Sequence, residues 1–258
     1  MKLNHVPARQ GAAWVRLGIR SFWRQPLAFS GLFFMFMAMV SVASLVPVIG
    51  SFLALCLMPA ATLGLMAATR EVDLGKFPMP VILFSAFRAD KQSRRQMMIL
   101  GLLYALGFCG VMGLSTLVDG GQFARMYLVG TGLDSDTLMK PEFQDAMWLS
   151  MLLYVPLTCV FWHAPALVHW HGVPAVKSLF FSTVACLHNW RAMLVYGVMW
   201  SLISAGTMLA VMLISNLMGD GQFAMMAMMP AMLILAAMFF CSIYFSFRDS
   251  FVPDTYSA

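Results

Sequence analysis

The fold turns on one stretch, "PLAFSGLFFMFMAMVSVASLVPVIGSFLALCLMPAATLGLMAAT" (26–69), whose 44 residues include no Asp, Glu, Lys or Arg. A helix needs about 20 residues to cross a hydrocarbon core, so the stretch holds two crossings. "VPVIGS" (46–51) divides them, because Pro47 stops one helix and Gly50 allows a tight turn. Segments 192–219 and 221–247 are equally free of charge. Of the 258 residues 61% are hydrophobic and 10% charged, against roughly 25% charged in soluble domains. The chain therefore reads as an all-α polytopic membrane protein, a single integral membrane domain over 1–258. Its six spans fall at roughly 27–46, 51–69, 97–117, 146–166, 192–217 and 223–246.

"MKLNHVPARQGAAWVRLGIRSFWRQP" (1–26) has no apolar core before Leu27, so it does not read as a cleavable signal. Orientation follows from Lys and Arg counting. Fourteen lie in the N-terminal segment, 70–96, 163–191 and the tail, while the opposite side has only Arg125 and Lys140. That opposite side carries six acids: Asp119, Asp134, Asp136, Glu142, Asp145 and Asp220. Both termini are therefore expected in the cytoplasm. The net charge of +5 then faces anionic lipid head groups rather than nucleic acid.

A duplication runs through the chain. "VMGLSTLVDGGQFARM" (111–126) and "VMLISNLMGDGQFAMM" (211–226) agree at nine of sixteen positions. "GSFLALCLMPA" (50–60) matches "GQFAMMAMMPA" (221–231) in Gly, Phe, Met, Pro and Ala, and a proline recurs in each returning span at Pro59, Pro156 and Pro230. An amphipathic stretch precedes each outgoing span; in the first, Arg16, Arg20 and Arg24 share a stripe away from Trp14, Leu17 and Phe22. Basic on one side and aromatic on the other predicts a helix lying in the membrane interface. The unit is an interfacial helix plus a helical hairpin, used three times at about 8–69, 75–166 and 172–247, with an insertion at 125–145. Glycine, glutamine and phenylalanine are not nucleophiles, so the repeated hexapeptide reads as architecture rather than catalysis.

The segments "FWHAPALVHWHGVPAVKSLFFSTVACLHNWRAML" (161–194) and "WVRLGIRSFWRQPLAF" (14–29) resemble the uncharacterised six-helix inner-membrane proteins of proteobacteria, the YciC-like proteins. They are similar, more distantly, to the membrane domain of some bacterial glycerophosphodiester phosphodiesterases. The resemblance implies an inner-membrane protein of unassigned activity and carries over no catalytic residues.

The candidates for chemistry are few. His163, His169 and His171 gather at the end of span four, but spacings of six and two do not place them on one helical face, as a metal or haem site requires. They read as an aromatic and histidine belt at head-group level. Twenty-five methionines, including "MMAMMPAM" (225–232), read as adaptable packing rather than a copper path. The five scattered cysteines suggest no disulfide framework. Asp134, Asp136 and Glu142 read as a solvated loop. No cofactor is expected. The function expected is non-enzymatic: envelope organisation through lipid or membrane-protein association, with self-association another use of such surfaces. The alternative is a channel or facilitator for a neutral or amphipathic molecule, lined by Ser115, Ser204 or Asn216. The residues assigned to the lipid interface are Trp14, Arg16, Arg20, Trp23, Arg24, Arg88, Arg94, Arg95, Lys177, Trp190 and Arg191.

Overall fold

The computed structural model describes residues 2–47, 49–130, 134–219 and 221–252. Helix α1 (Arg9–Arg24) is followed by α2 (Pro26–Ser44) and α3 (Gly50–Asp73). A 3₁₀ turn at Pro80–Phe84 and the stub α4 (Ser85–Arg88) lead into α5 (Lys91–Asp119). Two short helices, α6 (Gln122–Val129) and α7 (Ser135–Leu138), precede α8 (Pro141–Phe161) and α9 (Ala164–His171). The chain continues as α10 (Ala175–His188), α11 (Trp190–Met218) and α12 (Gly221–Ser250). Two-residue strands, β1 (Lys2–Leu3) and β2 (Phe251–Val252), pair antiparallel.

Among the described residues six helical stretches are long and apolar enough to cross a membrane: Pro26–Ser44, Gly50–Asp73, Lys91–Asp119, Pro141–His171, Trp190–Met218 and Gly221–Ser250. The fourth runs beyond the expected 146–166, through a bend at Trp162 and His163. Pro59, Pro156 and Pro230 all lie inside helices. Gly50 and Gly221 are each the first residue of their helix, with Phe52 and Phe223 in the first turn. Gly120 and Gly121 both have positive φ, +65° and +90°, which is why two glycines stand between α5 and α6. The Asp119 carboxylate accepts the amides of Gly121 and Phe123 at 2.8 and 2.6 Å, capping α6. Gly219, φ +67°, ends α11; Asp220 lies outside the described residues.

The chain forms two compact units. The first comprises 1–36, 62–85 and 184–258. Here α1 packs on α11 and α12. Gly11 lies so close to the Ala192 carbonyl that an added Cβ would stand 2.1 Å from it, and a Cβ on Gly18 would stand 2.4 Å from that of Ser242. Trp14 and Phe22 are fully buried on this same side. Gln10 and Trp14 meet Asp249, whereas Gly18 meets Ser242. Rising numbers on α1 thus meet falling numbers on α12, so the two helices run antiparallel. The second unit comprises 37–61 and 86–183. Its helix α5 packs on α8, with Phe108, Val111, Met112, Phe123, Phe143 and Ala146 in one cluster and Gly101 against the Cys56 carbonyl.

Candidate lipid interface

The interface begins with α1. Its buried positions, Gly11, Trp14, Val15, Gly18, Ser21 and Phe22, recur at helical spacing, which leaves Arg16, Arg20, Trp23 and Arg24 exposed. The four-residue steps put the three arginines in one row, where like charges repel. None of the three forms an ion pair with another described residue.

Trp14, expected at the lipid interface, lies instead inside the protein. Its ring is fully buried, sits edge-on to Tyr196 at 6.1 Å, and its Nε1–H donates to Asp249 Oδ2 at 2.9 Å. The Gln10 amide donates to the same oxygen at 2.6 Å. The apolar side of α1 is therefore taken up by protein, not by acyl chains, while Trp23 remains 63% exposed. Asn189 ties down the segment between β1 and α1: its Oδ1 accepts the Val6 amide, and its Nδ2 donates to the Asn4 carbonyl, both at 3.0 Å.

The remaining assigned residues are exposed at helix ends. Arg88 closes α4, Arg94 and Arg95 lie in the first turns of α5, Lys177 near the start of α10, and Trp190 and Arg191 open α11. The Arg191 guanidinium lies 5.4 Å from the Trp190 ring centre, within cation–π range. Asp90 caps α5, accepting the Gln92 and Ser93 amides at 3.0 and 3.1 Å. Hydrogen bonds from the Ser93 hydroxyl, and next from its amide, hold this carboxyl below its ordinary range.

The histidines do not converge. His163 is buried at the bend between α8 and α9, His169 is half-buried and His171 exposed. Among the described residues no three His, Cys, Asp or Glu side chains come together as metal ligands. His188 lies edge-on to His5 at 5.0 Å. What sequence reasoning missed is the group that holds the bend. The Ser182 hydroxyl accepts the His163 amide and donates to the Cys159 carbonyl, both at 2.9 Å. Residues 159 and 163 would bond directly in a regular helix, so the hydroxyl is inserted into the ladder. Insertion of this kind is a recognised cause of helix bends. The one available signal was the row of small residues Ala175, Ser178, Ser182 and Ala185, all buried on α10.

The Ser115 hydroxyl turns back to the Met112 carbonyl at 2.7 Å, and Asn216 is exposed on α11. A cleft of about 460 Å³ beside α8 is lined by Asp119, Gln122, Lys140, Glu142 and Phe143. Asp134 and Asp136 are exposed; residues 131–133 of the same segment lie outside those described. Among the described residues none of the five cysteines forms a disulfide.

No protein-family model matches the chain, and no solved structure matches it. A curated relative, the "Probable inner membrane protein" of Burkholderia thailandensis, is 39% identical over 255 residues, which cover 97% of this chain and 94% of that protein. Identity at this level over nearly all of both chains, together with six helices of membrane-spanning length, is decisive for kinship. The chain belongs to the family of that Burkholderia inner membrane protein.

Proposed function

We propose that this inner-membrane protein is non-enzymatic and organises the envelope, binding anionic lipid head groups along its basic helix ends and associating with other membrane proteins. The observation that carries the reading is the arginine row on α1. Arg16, Arg20 and Arg24 stand exposed at four-residue steps, without an acid among them and without an ion pair to a described residue. Such a row raises the energy of its own helix, and a surface of phosphates relieves it. In this reading the basic ends and both termini face the cytoplasm, and the chain is three copies of a short helix plus hairpin, related to the YciC-like proteins. Support for the repeat comes from three equivalent placements. The segment at Leu83 packs on Gly64 of α3, α10 packs on the α8–α9 bend, and α1 packs on α12.

Native membrane discs cut out around the full chain, followed by mass spectrometry of the enclosed lipid and protein, test the function. Anionic phospholipid should be enriched over the bulk membrane, and the enrichment should fall in R16Q/R20Q/R24Q. Lipid of bulk composition around the unaltered protein, with no co-purifying membrane protein, overturns the reading. Reporter fusions test the orientation: fusions after Arg88 should report cytoplasm, and fusions after Leu138 the opposite side.

A further inference from the structure

The start of α5 holds the chain's densest positive charge. Arg88, Lys91, Arg94 and Arg95 fall within eight residues; all are exposed, and none forms an ion pair with a described residue. Asp90, the acid among them, has its carboxylate committed to the first turn of α5. A fifth cation arrives from a different helix. Gln96 Oε1 accepts the Ala175 amide at 2.9 Å, fastening α5 to the first turn of α10, where Lys177 is exposed. Two helix N-termini thus add their partial positive charge to that of the side chains.

The surface below this charge is equally specific. From Arg94, steps of four residues reach Met98, Leu102 and Leu106, all exposed. Steps of four follow one ridge of the helix surface, inclined by about 26° to the axis. Twelve residues of helix rise about 18 Å, close to the roughly 15 Å thickness of one hydrocarbon leaflet. Val176 and Phe180 add exposed apolar surface on α10. An acidic peptide would use the cations but has no need of an apolar stripe aligned beneath them. A phospholipid uses both.

We propose that the α5–α10 junction is a binding site for one anionic phospholipid, its head-group phosphate among Arg94, Arg95 and Lys177 and an acyl chain along Met98, Leu102 and Leu106. This rests on the proposed lipid-binding function and gives it a place and a stoichiometry. Native mass spectrometry of the full chain in detergent, titrated with phosphatidylglycerol, phosphatidylcholine or inorganic phosphate, tests it. One phosphatidylglycerol should bind the unaltered protein, with phosphatidylcholine much weaker. R94Q/R95Q/K177Q should lose about tenfold or more of that affinity, while R94K/R95K retains most of it and R16Q/R20Q/R24Q leaves the single adduct intact. M98S/L102S should weaken the lipid adduct without changing its head-group preference. Elution volume and helical circular dichroism matching the unaltered protein establish that each variant is folded.

An adduct that survives in R94Q/R95Q/K177Q but disappears in R16Q/R20Q/R24Q overturns the site and leaves the general function standing. Equal binding of phosphatidylglycerol and phosphatidylcholine by the unaltered protein overturns both. Inorganic phosphate displacing the lipid at similar concentration overturns the lipid as occupant. So does an acidic polypeptide released from the protein by the same glutamine substitutions.

Discussion

The two units close their helix packing with different chemistry. In the first, a carboxylate is the clasp: Asp249 accepts Gln10 and Trp14 through one oxygen, and α1 approaches α12 so closely that only glycine fits at position 18. In the second, a neutral hydroxyl is the clasp: Ser182 stands between an amide and a carbonyl that would otherwise bond each other. The first joins residues more than two hundred positions apart, the second repairs a bend in an adjacent hairpin. A charged acceptor and two side-chain donors make the stronger bonds. A hydroxyl that satisfies two backbone groups makes the more local ones.

Four substitutions sharpen or break this contrast. The largest effect is expected from Gly18→Leu, because any side chain there meets the Ser242 Cα and Cβ within 3 Å. The protein should fail to elute as a monodisperse peak in mild detergent. Gly197→Leu is its control, with no atom near the added Cβ, and should elute normally. Asp249→Ala comes next, leaving the Gln10 and Trp14 donors without their acceptor. A loss of about 2–3 kcal/mol should appear in denaturant melts, with Trp14 fluorescence shifted red as water reaches the ring. Ser182→Ala should cost less, about 1–2 kcal/mol. Its signature is local, namely faster hydrogen exchange of the His163 amide with the α1 contacts unchanged. If it loosens α1 as much as Asp249→Ala does, the two clasps are not independent.

The smallest effect belongs to Asp90→Ala. Hydrogen bonds lower the folded-state pKa of this carboxyl, so its stabilisation is full above the unfolded value. It is lost as pH falls through the folded one. The variant should melt slightly below the unaltered chain near neutral pH, and the gap should close in acid below the carboxylate range. A gap that widens in acid refutes the capping role.

Much of the architecture was legible because a bilayer leaves few options. Charge-free runs of the right length must be helices, and the paired glycines at 120 and 121 mark the turn where they stand. The fate of α1 was not legible in the same way. An aromatic stripe looks alike whether its partner is an acyl chain or another helix, and Trp14 and Trp23, nine residues apart, meet opposite fates. The overlooked clue was glycine: Gly11 and Gly18 are seven residues apart and share the face of Trp14, which is the mark of close helix contact. The row of small residues on α10 marks Ser182 as a contact position, but not its role, because the groups it bridges lie outside that helix. The basic ends were readable as charge, but their gathering at α5 and α10 depends on the Gln96–Ala175 bond, which no periodicity encodes.

The pairing of α1 with α11 and α12 also has a consequence for biogenesis. Helix α1 leaves the ribosome before α11 and α12, on which it docks, so it must wait while the residues between them are made. At about 5–20 residues per second that interval is on the order of tens of seconds. During it Trp14 lacks Tyr196 and Asp249, its ring and hydrogen-bond partners, and the water–lipid boundary is the natural waiting room for an aromatic ring. The docked α1 is thus a state of the finished chain alone, reached only after α11 and α12 have been made.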